Sequence, residues 1–407
     1  MSSINITEKD LALTPLLRLG FRPFFLLGSL FALLGMLVWL LALQGLAAPS
    51  PLNGMLWWHS HEMLFGFVAA IISGFLLTAV QTWTGQPSIK GMKLLFLVLV
   101  WLLARVLIFV NFDISVFIVM TIDVLFLPLT AFFLAQPLIK IKQYRNMVFI
   151  PVLSLMTIAN ILTYLPMLDA SPAFSSELSN KGFYAMVFLS TLLVALLGGR
   201  VVPMFTANGT GTTKVLPLKW LEISAMLSLV AVVIGIVFFF QSDSLLLGVL
   251  CLLSACLHLV RNLRWRPWVS FKVPLVWVLH AAMLFIPIGL FMISSHFLFQ
   301  WMSFSAALHG LTVGVIGGMI IAMMSRVSLG HTGRKLNPHA LMTLAFIAII
   351  VAAFIRSPLM GVAQTSAPHM TSQLWLISGI LWCLSFACFA WVYFPILSKP
   401  RADGRPG

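Results

Sequence analysis

Twelve stretches of apolar residues, separated by short polar connections, constrain this chain more than any other feature. Most approach the roughly 20 residues a helix needs to cross the hydrocarbon core of a bilayer. In that setting every backbone N–H and C=O must be satisfied inside the helix. The stretches fall near 23–44, 58–80, 92–110, 115–135, 147–166, 183–204, 220–240, 245–262, 273–295, 302–325, 340–356 and 374–394. They follow neither a heptad nor a strand-like alternation. Of 407 residues, 61% are hydrophobic and 8% charged, too little polar side chain to coat a soluble globule. The expected fold is therefore an all-α polytopic membrane bundle. It has a short segment at 1–22, a single transmembrane domain at 23–394 and a tail at 395–407.

A formal charge of +14 suggests nucleic acid in a soluble protein, but here orientation explains it. With the first segment on the cytoplasmic side, only Arg105, Lys181 and Arg356 fall on the outer side. The other 21 of the 24 Lys and Arg residues, from Lys9 to Arg405, fall on the inner side. Both termini are expected in the cytoplasm. Membrane lipid is the partner implied, and no nucleic acid is expected. Cys251 and Cys256, like Cys383 and Cys388, are five residues apart, which separates their thiols around a helix, so neither a disulfide framework nor a shared ion is expected. The loop holding Asp169, Pro172 and Glu177 is expected outside.

Placing 61–85 over 309–333 without a gap matches His61 with His309, Gly66 with Gly314, Ile72 with Ile320, and Thr84-Gly85 with Thr332-Gly333. Five matches in 25 apolar-biased positions are few, but they include positions that an apolar composition would least often align, which makes an internal repeat a candidate reading.

Nine histidines stand out in a chain this apolar. Ionisable residues inside spans are functional candidates because a polar group in hydrocarbon costs free energy unless paired. His59, His61 and His309 fall toward the outer side, and His258, His280 and His331 toward the inner side. His59 and His61 lie about 200° apart on a helix and face different partners. Glu62 follows His59 by three residues, near enough to orient its ring. Gly66 and Gly74 beyond His61, with Gly310, Gly314, Gly317 and Gly318 beyond His309, either let helices approach closely or leave room for a flat macrocycle. His61 and His309 match the needs of a bis-histidine haem, with His59 beside them. Neutral imidazoles at His59, His258, His280 and His331 also suit copper or a second site. Asp123, Arg200, Arg326 and Arg334 are candidate charge partners, and Arg105 is placed to pair with Asp123.

Gly20-Phe21-Arg22-Pro23-Phe24-Phe25, Trp58-His59-Ser60-His61-Glu62-Met63 and Gly198-Gly199-Arg200-Val201-Val202-Pro203 resemble the NnrS family. Leu279-His280-Ala281-Ala282, Leu308-His309-Gly310-Leu311-Thr312 and Ser328-Leu329-Gly330-His331-Thr332-Gly333-Arg334 extend the resemblance across about residues 18 to 335. It implies a bacterial inner-membrane protein containing haem, of b type, and copper, linked to nitric oxide metabolism and nitrosative stress. The resemblance does not define a reaction, so a metal-dependent oxidoreductase and a non-catalytic sensor or assembly factor both stay open. A haem-copper oxidase needs histidines on its sixth and seventh spans, and residues 183–240 contain none. A secondary transporter with a His/Asp/Glu proton relay is the rival of a different class. The reading carried forward is nitric oxide or iron-nitrosyl binding at a haem held by His61 and His309.

Overall fold

The computed structural model describes residues 12–169 and 176–405, so Lys9 and Pro172 lie outside the described residues. Among these, twelve helices are long and apolar enough to cross a membrane. They are α1 (Phe21–Leu43), α2 (Gly54–Thr84), α3 (Met92–Val110), α4 (Val116–Lys140), α5 (Tyr144–Leu168) and α6 (Ser176–Thr210). The second six are α7 (Lys219–Phe238), α8 (Leu245–Arg264), α9 (Pro274–Phe299), α10 (Phe304–His331), α11 (Ala340–Ser366) and α12 (Pro368–Ser398). The expected spans are all present. Several helices run past the apolar core that marked them, because a helix continues into the interface until its terminal groups find water or a cap.

The helices group into two compact units. The first comprises Met1–Met186, Val327–Leu336 and Phe389–Gly407, and the second Val187–Arg326 and Asn337–Cys388. In the first unit α1 packs on α2, α2 on α4, and α4 on α5. In the second, α7 packs on α8, α8 on α9, α9 on α10, and α10 on α11. The most apolar window of α2 is 83% buried and that of α10 78%, against 39% for α4, so α2 and α10 are enclosed by protein while α4 keeps a broad lipid-facing side. Small residues permit the enclosure. A Cβ at Gly74 would fall 2.8 Å from the Cβ of Phe24, and one at Gly314 would fall on the Phe285 ring.

Both enclosed helices change pitch at the same place. A π-helical segment, Glu62–Val68, starts immediately after His61, and another, Gly310–Gly317, immediately after His309. Both stretches end at a left-handed glycine, Gly85 at φ 66° and Gly333 at φ 71°. A third π segment, Ile355–Leu359, contains Pro358, whose missing N–H disrupts the ladder. The first two contain no proline and interrupt sound helices, a pattern that recurs at functional sites. The four cysteines are free.

Candidate functional site

The densest polar cluster lies inside the first unit, at the head of the α2 π segment. His61 and Glu62 are fully buried on α2, Arg105 on α3 and Asp123 on α4 are at most 5% exposed, and α5 adds Asn160 and Tyr164. In an apolar interior such charges persist only when paired and hydrogen-bonded. The pairing is extensive. Arg105 Nη2 donates to Asp123 Oδ1, and its Nε lies 3.2 Å from Glu62 Oε2, close enough for charge pairing though not aligned as a hydrogen bond. Asn160 Nδ2 and Tyr164 Oη donate to Asp123 Oδ2 at 2.7 and 3.2 Å.

These contacts determine what His61 does. Its Nδ1 is 3.0 Å from Glu62 Oε1, and its Nε2 is 3.0 Å from Asn160 Oδ1 and 3.3 Å from Asp123 Oδ2. Asn160 spends its amide hydrogens on Asp123, so its oxygen faces the ring. Both ring nitrogens therefore meet acceptors, an arrangement that fits an imidazolium donating from each. Two carboxylates then balance a guanidinium and an imidazolium. Trp57 stacks on the ring at 4.4 Å and 13°, a geometry that favours a cation over an indole face. Trp57 is itself fixed by donating from Nε1 to the Thr163 carbonyl at 3.1 Å.

The α2 glycine that might have left room for a macrocycle makes room for the guanidinium instead. A Cβ at Gly66 would lie 2.8 Å from Arg105 Nη1 and 2.8 Å from Phe31. The π turn also lets the Gly66 carbonyl accept from Trp101 Nε1 at 2.8 Å. The second unit repeats the device. Arg261 on α8 is 2% exposed; it donates to Glu222 Oε2 at 2.7 and 2.9 Å and to the Ala195 carbonyl at 3.1 Å. A Cβ at Gly199 would collide with its guanidinium.

The remaining expected site residues are distributed over the units. His309, in the second unit, donates from Nδ1 to the Ser305 carbonyl at 2.6 Å, so a neutral ring carries its lone pair on Nε2. That is the tautomer an iron ligand needs, and the backbone bond orients the ring. His61, in the first unit, offers no lone pair in the arrangement described. The His309 imidazole could thus hold an iron, and the His61 ring as placed could not. His280 meets Thr206 Oγ1 at 2.8 Å; that hydroxyl donates to Val202, so His280 donates from Nε2 and holds its lone pair on Nδ1. His258 donates from Nε2 to the Ala225 carbonyl at 3.1 Å. His59 stacks on Trp39 at 4.5 Å, while Glu62 orients His61. His331 lies against Phe21, and its carbonyl accepts from Arg401 at 2.8 Å. Arg326 stacks on Phe205 at 3.8 Å, Arg334 reaches the Thr332 carbonyl, and Arg200 is exposed. Among the described residues no three His, Cys, Asp or Glu side chains converge as a metal site, so the histidines suggested for copper are not gathered into one.

Asn160 and Tyr164 were not anticipated. Their signal was available: two polar groups four apart share one face of an otherwise apolar span and must find partners. Arg261 and Glu222 were likewise unpaired in the sequence.

Comparison with known families matches residues 15–401 to the NnrS protein family. No curated protein is similar enough to be matched.

Proposed function

The chain belongs to the NnrS family, membrane proteins linked to the nitric oxide response, and on that premise we propose that it binds nitric oxide or an iron-nitrosyl species at a b-type haem that His309 would hold. One observation carries the reading: His309 stands at the head of a π segment with Nδ1–H tied to the Ser305 carbonyl, which turns its lone pair to Nε2. When bound, haem would supply an iron able to take such a small ligand. The chain contributes the anchored imidazole and an apolar, enclosed helix around it. His61 has a different role. With both ring nitrogens against acceptors, it joins Arg105 in pairing with Glu62 and Asp123 and positions α2. No step is assigned to copper, because among the described residues no donor set for it is assembled. The common plan of 61–85 and 309–333 supports descent from one duplicated element. The bacterial inner membrane is the location that goes with this reading.

The test is an optical and paramagnetic spectrum of the purified protein, with and without nitric oxide. His309→Ala is expected to remove or displace the Soret band, while His61→Ala leaves an iron-ligated haem if the protein folds. A pigment-free preparation, or an unaltered spectrum in His309→Ala, overturns the haem reading.

A second reading has its own observation, the chain of contacts from Glu62 through His61 and Asp123 to Tyr164, hydrogen-bonded at each end and joined in the middle by the His61–Asp123 ion pair. That chain suits a secondary transporter with a proton relay. Proton flux in proteoliposomes that is abolished by Asp123→Asn in a pigment-free protein would favour it.

A further inference from the structure

Away from the buried ions, the first unit has a cavity of about 560 Å³ where the loop between α2 and α3 meets the end of α4. The loop is held firmly. Gly85 and Gly91 take positive φ, the Gly91 N–H donates to the Leu17 carbonyl at 2.8 Å, and Gln143 donates to the Trp83 carbonyl at 2.7 Å. The volume is within the range of small-molecule sites, roughly 300–1,000 Å³.

Its lining is chemically one-sided. Lys90, Lys93 and Lys140 contribute to it, and no carboxylate does among the described residues. Gln86 and Gln136 add carboxamides. The Ser88 side chain also lines it, and its buried hydroxyl makes no hydrogen bond among the described residues. Met92 and Lys93 open α3, a 19-residue helix whose N-cap, Gly91, gives no side-chain bond, so first-turn N–H groups are left for an acceptor. Three ammoniums, an uncapped helix start and a buried hydroxyl all favour an oxyanion. Phe133 and Pro137 on α4 add an apolar wall, and Met92, 75% exposed, stands at the rim. These residues lie at helix ends on the side where lysine and arginine accumulate, the level of anionic headgroups.

We propose that this cavity is a binding site for the phosphate of an anionic phospholipid, with Lys93 and Lys140 as its principal cations, the helix start and Ser88 as neutral donors, and Phe133 and Pro137 against the glycerol-acyl region. A free phosphate shares the head chemistry but makes no use of the apolar wall. The site is independent of the haem reading and uses none of its residues.

The experiment is native mass spectrometry of the full-length protein in detergent, titrated with phosphatidylglycerol or phosphatidylcholine. One phosphatidylglycerol is expected to be retained in preference to phosphatidylcholine. Lys93→Gln/Lys140→Gln is expected to weaken its retention by about 30-fold, taking each lysine near a headgroup at its usual worth. Ser88→Ala is expected to weaken it less. Both lysines are exposed, so the double variant keeps the fold, and an unchanged elution profile checks this. Lys214→Gln/Lys272→Gln removes two exposed charges elsewhere and is expected to bind as the parent does. Equal retention of the two lipids, unchanged binding in the first double variant, or equal loss in the second overturns the site. Displacement of phosphatidylglycerol by millimolar inorganic phosphate, with the same lysine dependence, overturns the lipid as its source.

Discussion

Replacing Arg105 by leucine removes one of two cations from a cluster sealed in the interior of the first unit. Glu62 and Asp123 then share His61 alone, with no water to screen them. The structure gives the scale. Arg105 makes one charge-assisted hydrogen bond to Asp123, a kind that contributes about 1.5–3 kcal/mol, and an ion pair with Glu62. Stranding a charge by deleting its buried partner costs roughly 3–5 kcal/mol. About 4 kcal/mol is expected for Arg105→Leu. Asp123→Leu is expected to cost a similar amount, since it leaves Arg105 and His61 to share Glu62 alone and deprives Asn160 and Tyr164 of their acceptor. The double variant leaves Glu62 balanced by His61, so it should lose less than the two singles together, with a coupling of about 2–3 kcal/mol. Reversible unfolding in mixed micelles, followed by tryptophan fluorescence on all four proteins, measures the cycle. Additivity within about 0.5 kcal/mol, or a single variant as stable as the parent, would refute the account of Arg105 and Asp123 as mutual counter-ions.

Gly199→Ala should be far more damaging than an alanine at an ordinary helical glycine, because its Cβ displaces the Arg261 guanidinium from Glu222 and Ala195. A loss of more than about 3 kcal/mol is expected, read as poor recovery of monodisperse protein, and Arg261→Met in the same background should restore part of it. Gly66→Ala should act on Arg105 in the same way, and its penalty should shrink in the Arg105→Leu background. At the exposed end of the chain, hydrogen bonds from Arg401 hold the Asp403 carboxyl below the ordinary aspartate range. A carboxyl depressed in the folded state stabilises above its unfolded value and loses that contribution as pH falls through its folded value. The tail, bound through Ala402 to Thr332 and Arg401 to His331, should therefore loosen only below about pH 4. Proteolysis of the tail by an acid-stable protease checks this, and a tail equally protected at pH 3 and pH 6 would contradict it.

The twelve spans could be read directly because crossing lipid demands long apolar runs with internally bonded backbone, a one-dimensional property visible in any window of the chain. The prominence of His61, Glu62 and Asp123 was legible for a related reason: charges in such runs are too costly to be incidental. Even the Arg105–Asp123 pair could be suggested from two lone opposite charges in consecutive spans. What each side chain meets depends on helix rotation, and here the sequence was silent. Glu62 sits three residues after His59, yet it contacts His61 and Arg105, because the π turn starting at Glu62 shifts the phase of everything around it. Gly66 looked like space for a flat cofactor or a neighbouring helix, and the space holds a guanidinium. Periodicity fixes the face of an ideal helix. Only packing among α2, α3, α4 and α5 decides where the pitch breaks and which donor finds which acceptor, since those partners lie up to 99 residues apart and meet only when the helices close around them.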